Sequence, residues 1–155
     1  MPEPWKNVAL HTLPGHLARR VHQLAVALYA QEVADLALTP VQYSSLQTIC
    51  AQPGIDQKTL ANTVGFDTST IAGVIDRLEA RGLVSRNVSP SDRRARLITP
   101  TPQGLAMLKS VVPRMRKSQE RLLEPLTPAE RSEFVRLMKV LIAANAELSN
   151  IPTKD

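Results

Sequence analysis

The chain has 155 residues, 43% hydrophobic and 21% charged, a length that suits one folded domain with a core of its own. No stretch approaches the roughly 18 uninterrupted apolar residues of a membrane span, and the opening MPEPWKNVALHTLPGH lacks the charged-then-apolar order of a secretory signal, so a cytoplasmic protein is expected. The formal net charge of +5 favours polyanionic partners, and the single cysteine, Cys50, excludes an internal disulfide.

Residues 1–13, with Pro2 and Pro4 and no clear period, read as a loosely ordered arm. From Pro14, Leu17, Val21, Leu24, Ala25 and Leu28 recur at helical spacing to about Asp35, which predicts a long first helix. Its small and apolar residues cover more than one face, a pattern that suits burial by a second chain as well as by its own core. Thr39, Pro40 and Gln42 then stand where a capping box needs its N-cap, N1 and N3 residues, and Leu38 can staple onto Tyr43. Pro53-Gly54 closes this second helix. The run IDQKTLANTVG predicts a third, with Ile55, Leu60, Ala61 and Val64 inward and Gly65 as its end.

Asp67 can cap a fourth helix whose Ile71, Val74, Ile75 and Leu78 fall on one face, leaving the other free for a partner. Gly82 stops it. Two short runs, Leu83 to Val88 and Arg96 to Thr99, then flank a polar turn that carries Arg93 and Arg94. Two short helices around the Gly65-Phe66-Asp67 turn, followed by a basic hairpin, have the order of a helix-turn-helix with a wing. The charges of this region are nearly balanced in sum, so the clustering of Arg93, Arg94 and Arg96 carries the case for nucleic acid. Thr101-Pro102 opens a further helix with Leu105, Leu108, Val111, Val112 and Met115 on its apolar face, and Pro113 inside it is expected to kink or interrupt it. Thr127-Pro128-Ala129-Glu130 is a second capping box, and the last helix repeats Phe134, Val135, Leu137, Met138, Leu141 and Ile142. So much apolar helix exceeds what one small reading domain needs, and a homodimer is the economical explanation.

The expected fold is mainly α with a small β-hairpin wing: a winged helix-turn-helix over residues 37–101, between an N-terminal arm and dimerisation helix (1–36) and C-terminal dimerisation helices (102–155), in one compact domain. The segments STIAGVIDRLEARGLVSR and SDRRARLITPTPQG, with Asp92 and Arg94 as an Asp-x-Arg pair and a Gly-bearing helix start, resemble the recognition helix and wing of the MarR family of bacterial regulators, and the likeness spans nearly the whole chain. The resemblance implies a dimer that binds palindromic operators in double-stranded DNA and represses until a small ligand, often an aromatic carboxylate or a phenol, releases it. It also implies a ligand pocket between the dimerisation helices and the reading domain, for which His16, Arg19, Arg20 and Tyr43 are the candidates: a cation, a ring and an imidazole suit an aromatic acid.

Where relatives often carry a polar pair in the middle of the recognition helix, this chain has Ala72 and Gly73. Base contact is therefore expected from Thr68, Ser69 and Thr70, from the Ala72 methyl against thymine, and from close backbone approach at Gly73. Arg94, with Arg93 and Arg96, suits a narrow minor groove, against the alternative of a surface pair with Asp92. Arg77 and Arg81 can grip phosphates or pair with acidic neighbours on a solvated face. Cys50 reads as an inert core thiol, with a redox-responsive regulator as the alternative. His11, His16 and His22 do not gather on one helical face, so no metal or other cofactor is expected. No spaced Ser/His/Asp, Cys/His or paired-carboxylate set speaks for an enzyme. A protein-interaction adaptor using the same wing on an acidic partner is the remaining alternative.

Overall fold

The computed structural model describes residues 1 and 3–149, so the last residues of the expected C-terminal segment, 150–155, lie outside the described part. The order is α1 (Pro14–Val33), α2 (Pro40–Ala51), β1 (Ile55–Asp56), α3 (Gln57–Val64), α4 (Thr68–Ala80), β2 (Val84–Val88), β3 (Arg96–Pro100), α5 (Pro102–Leu123), α6 (Pro128–Ala144) and α7 (Ala146–Ser149). Short 3₁₀ turns at Pro4–Asn7 and Leu10–Thr12 give the N-terminal arm local structure, although none of their residues is buried.

The helix starts follow the capping chemistry of the sequence. In α2 the Thr39 Oγ1 accepts from the Gln42 N–H at 3.2 Å while the Gln42 side chain accepts from the Thr39 N–H at 3.1 Å. Thr127 and Glu130 repeat the exchange at the start of α6, at 3.3 and 3.0 Å. α5 runs unbroken through Pro113. The ring deprives the Lys109 carbonyl of its helical donor, but both residues are exposed, where an unpaired carbonyl costs little.

Ile55 is not a helical residue. It stands opposite Ile98 in β1, making a third strand in a sheet of order β1-β3-β2, all antiparallel, rather than the two-stranded wing expected. The cause is Asp56, which caps α3 by accepting from the Thr59 N–H at 2.8 Å and so keeps an extended backbone that places Ile55 outside the helix. The core gathers Leu46 and Ile49 of α2, Leu60 of α3, Ile71, Ile75 and Leu78 of α4, Ile98 of β3 and Val111 of α5, all fully buried.

α1 lies along α5, tied by Arg121 to Glu32 and Gln31, both at 2.9 Å, and by an Arg114–Asp35 ion pair that holds the Asp35 carboxyl below its ordinary pKa. α6 has no buried residue in the single chain: Leu137, Val140, Leu141 and Ile142 all face outward.

The junction between α4 and α5 is close-packed. Thr101 donates its N–H to the Leu83 carbonyl at 3.1 Å and its hydroxyl to the Gly82 carbonyl at 2.6 Å, then caps α5 through the Gly104 N–H at 3.0 Å. A Cβ on Gly104 would collide with that same Leu83 oxygen, whereas one on Gly15 would meet nothing within 4 Å. Gly104→Ala should therefore cost about 1–3 kcal/mol of stability, as overpacking does, while Gly15→Ala should leave the thermal midpoint unchanged or slightly higher. Matching midpoints for the two variants would refute the close approach.

Candidate nucleic-acid interface

α3 and α4 are joined by a three-residue turn that begins with Gly65 at φ 77°, and Asp67 caps α4 by accepting from the Thr70 N–H and the Thr70 hydroxyl, each at 2.7 Å. These two bonds, the backbone one first, hold the Asp67 carboxyl below the usual carboxylate range. Gln57 links the helices from the side, donating to the Thr68 carbonyl at 3.2 Å. α4 buries Ile71, Val74, Ile75 and Leu78 as its period requires. Thr68, Ser69, Thr70 and Arg77 are exposed on its other side, with Ala72 and Gly73 half-buried between them. The Thr70 hydroxyl proton is committed to Asp67, and a Cβ on Gly73 would meet nothing within 4 Å, so the middle of the outward face is open and nearly featureless.

The wing tip is ordered by Asp92. Its Oδ1 accepts from the Arg94 N–H at 2.9 Å, its carbonyl accepts from the Ala95 N–H at 3.1 Å, and the Ser89 N–H closes the loop onto the Ala95 carbonyl at 3.0 Å. The carboxylate thus serves the backbone of the Asp-x-Arg motif instead of the guanidinium. Arg93, Arg94 and Arg96 are all exposed, and among the described residues none of their guanidinium groups is ion-paired.

Two other arginines are occupied within the protein. Arg86 on β2 bridges Asp76 at 2.7 Å and Glu79 at 3.0 Å, and its N–H donates to the second Glu79 oxygen at 3.0 Å. The bond to the guanidinium, and after it the backbone bond, depress the Glu79 pKa, and the same partners raise that of Arg86. The wing is thereby tied to α4. Sequence reasoning missed this role, though Asp76 and Glu79 at i, i+3 were a visible sign that a cation from elsewhere would meet them. Arg81, at the C-cap of α4, reaches back to the Ala37 and Leu36 carbonyls at 2.7 and 3.0 Å.

Behind the helix-turn-helix, two cavities flank Tyr29. One of about 450 Å³ lies between α1, α2 and α5, lined by His22, Ala25, Tyr29, Tyr43, Met115 and Gln119 among others; the other, of about 470 Å³, is walled by α1 and the turn that follows it, including Ala30, Val33, Ala37 and Leu38. Of the four expected pocket residues, Tyr43 lines one of these two cavities. His16 and Arg19 contact each other at 3.4 Å, and with Arg20 they lie outside both linings. The histidine that does face the space is His22, one heptad before Tyr29. The Tyr29 hydroxyl donates to the Leu38 carbonyl at 2.9 Å, and burial, then the neighbouring Tyr43, pushes its pKa up to about 12. Tyr43 is raised by burial too, against the opposing field of Arg116. Burial likewise raises the Cys50 thiol, which packs against the core. Among the described residues no three His, Cys, Asp or Glu side chains gather as metal ligands, and no single helix is long and apolar enough to cross a membrane.

The MarR family model matches residues 38–95. The chain is 31% identical over 128 residues to the HTH-type transcriptional repressor NicR of Pseudomonas putida, covering 83% of this chain and 81% of that protein. Among solved structures it is similar to BpsR of Bordetella bronchiseptica, whose DNA binding is regulated by 6-hydroxynicotinic acid: 34% identity, TM-score 0.81, 84% of this chain and 93% of that one. It is equally similar in fold to the transcriptional repressor CouR bound to a 23-mer DNA duplex, at 31% identity and TM-score 0.81 over 85% of this chain and 94% of that one.

The backbone role of Asp92 separates two outcomes. If the carboxylate acted only by charge, removing it would strengthen binding to duplex DNA. Because it holds the Arg94 turn, Asp92→Ala should weaken binding by about 1 kcal/mol, roughly fivefold, while Asp92→Asn, which keeps the acceptor and loses the charge, should bind at least as tightly as the parent. Tighter binding by Asp92→Ala in an anisotropy titration would contradict the assignment.

Proposed function

The chain belongs to the MarR family of winged-helix transcriptional regulators, and from that membership we propose that it acts as a cytoplasmic homodimeric repressor released from a palindromic operator by a small aromatic acid or phenol. The observation that carries the DNA reading is the wing tip, where Asp92 fixes the backbone and leaves the Arg94 guanidinium unpaired. In this reading Arg94 enters the minor groove, with Arg93 and Arg96 on flanking phosphates. Thr68, Ser69 and the acceptor lone pairs of the Thr70 hydroxyl face the major groove, Ala72 offers a methyl to thymine, Gly73 lets the backbone approach, and Arg77 holds a phosphate. Arg81 is assigned to the protein and not to the DNA, since its two terminal nitrogens each donate to a carbonyl of the Leu36–Ala37 segment.

Dimerisation accounts for α6. A 17-residue helix with no buried residue is marginal alone in water, and covering Leu137, Val140, Leu141 and Ile142 with a second copy supplies the packing it lacks. The two recognition helices would then lie about one DNA turn apart, roughly 34–36 Å. For the effector, the 450 Å³ cavity offers aromatic walls in Tyr29 and Tyr43, with His22 and Gln119 as polar contacts, which fits a flat acid of the size of 6-hydroxynicotinic acid. Cys50 has no part in this reading, because a half-buried thiol of raised pKa is a poor redox sensor.

Footprinting on DNA flanking the protein's own gene should show a protected palindrome that 6-hydroxynicotinate or a related aromatic acid clears. An unprotected promoter would defeat the repressor reading, and protection indifferent to all such acids would defeat the effector. A second test uses charge: Arg94→Ala should weaken operator binding and lower the slope of log K against log[salt] by about one, because a cation in the negative minor groove releases counterions as a phosphate contact does. An unchanged slope would remove Arg94 from the interface.

A further inference from the structure

Three consecutive carbonyls between α1 and α2 are held by side chains from different parts of the molecule. The Leu36 and Ala37 oxygens accept from the Arg81 guanidinium at 3.0 and 2.7 Å, and the Leu38 oxygen accepts from the Tyr29 hydroxyl at 2.9 Å. Arg81 is the C-cap of the recognition helix, while Tyr29 lines both cavities. The segment is taut: a 3₁₀ turn ends it on one side, the Thr39 capping box on the other, and Ala37 is held in the left-handed region at φ 47°, where a side chain is disfavoured. We propose that the Leu36–Ala37–Leu38 segment is the strap that couples the cavities to the recognition helix, with Tyr29 and Arg81 as positioning residues at its two ends.

The physical case is one of shared partners. Ala37 and Leu38 are wall of the cavity of about 470 Å³, and an occupant of the cavity of about 450 Å³ reaches the same short segment through Tyr29, which lines both spaces and bonds the Leu38 carbonyl. A guanidinium on the last carbonyls of a helical turn is a favourable complement to their partial negative charge, and here it is delivered by α4, not by a neighbour in sequence. Shifting the strap displaces Arg81, and with it the C-terminal end of α4, where the helix enters the wing. That the occupant is an aromatic acid rests on the function proposed above; the coupling between Tyr29 and Arg81 does not.

A double-mutant cycle on the full-length dimer tests the strap without any effector. Operator affinity is measured for the parent, Tyr29→Phe, Arg81→Gln and the double variant, with Arg81→Lys as the conservative replacement and thermal midpoints as a check on folding. Tyr29→Phe removes only a hydroxyl remote from DNA, so two such sites without a shared partner should act additively. The strap predicts otherwise: Tyr29→Phe should change operator affinity about threefold or more in the parent and have no further effect in Arg81→Gln, while Arg81→Lys should restore part of the coupling. Additive effects at equal midpoints would overturn the proposal. So would an Arg81→Gln variant whose salt slope falls by about one with the Tyr29 effect intact, since Arg81 would then be a phosphate contact. Adding 6-hydroxynicotinate to the same four proteins separates the two ideas: failure to release the parent counts against the effector class, whereas equal release from parent and Arg81→Gln counts against the strap.

Discussion

Two adjacent carbonyl oxygens, those of Gly82 and Leu83, join the recognition helix, the wing and the long fifth helix. α4 ends in a Schellman turn, with Gly82 at φ 71° donating to the Glu79 carbonyl and Leu83 to the Leu78 carbonyl, both at 2.9 Å. The carbonyls of the same two residues then accept the hydroxyl and the N–H of Thr101, the residue that leaves the wing and caps α5. Glycine at 104 lets α5 come against this junction without a side chain in between. With Arg86 closing the other side of α4 onto β2, the reading helix and the wing are built to move as one body. On the proposed reading, a change in DNA affinity comes from how that body sits relative to the rest of a dimer, because little can give inside it.

On the proposed reading, helix and wing divide affinity and specificity unequally within that body. Asp76 and Glu79, the two acidic groups within the recognition helix, are both met by Arg86, which reduces their opposition to phosphates. Asp92, the acid nearest the wing arginines, turns its carboxylate to the backbone. The positive charge that remains at the tip supplies sequence-independent attraction and register. The outward face of α4 offers hydroxyls at one end and almost nothing at Ala72 and Gly73, so its discrimination rests on methyl contact and close fit more than on paired hydrogen bonds. A face of that kind tolerates substitutions in the operator more readily than one that reads bases with bidentate side chains.

Much of this was legible in the chain. The capping boxes at Thr39 and Thr127, the Asp67 cap and the Gly82 stop are local rules of three or four residues, and all formed as the sequence required. What escaped was set by distance. β1 is two residues long, too short for any alternation, and exists only because β3 lies beside it. Arg81 bonds across 44 and 45 residues, and no periodicity within α4 distinguishes it from an arginine in solvent. The cavity was different, because a signal was present: His22, Ala25, Val26 and Tyr29 repeat at helical spacing on one face of α1, and following that face from Tyr29 leads to His22 and away from His16 and Arg20. Charge drew attention to His16, Arg19 and Arg20, which precede the part of α1 that lines the cavity.

On the proposed reading, the energetics restrict how release can work. Converting a regulator from almost wholly binding-competent to almost wholly incompetent takes about 5.5 kcal/mol of differential affinity, and a ligand with micromolar affinity has only about 8 kcal/mol in total. A small acid in a cavity of about 450 Å³ cannot direct most of its binding energy into discriminating two shapes unless those shapes differ at the cavity wall itself. α1 is a poor place for that difference, since Glu32 and Asp35 fix its end to α5. The segment after it, which this cavity reaches through the Tyr29 hydroxyl, is a better one: Ala37 is in a disfavoured conformation, and the Arg81 bonds that hold it are exposed to water, where such contacts are weak. A wall that is strained and lightly held needs little energy to shift, which is the condition under which a ligand of modest affinity can move a whole reading head.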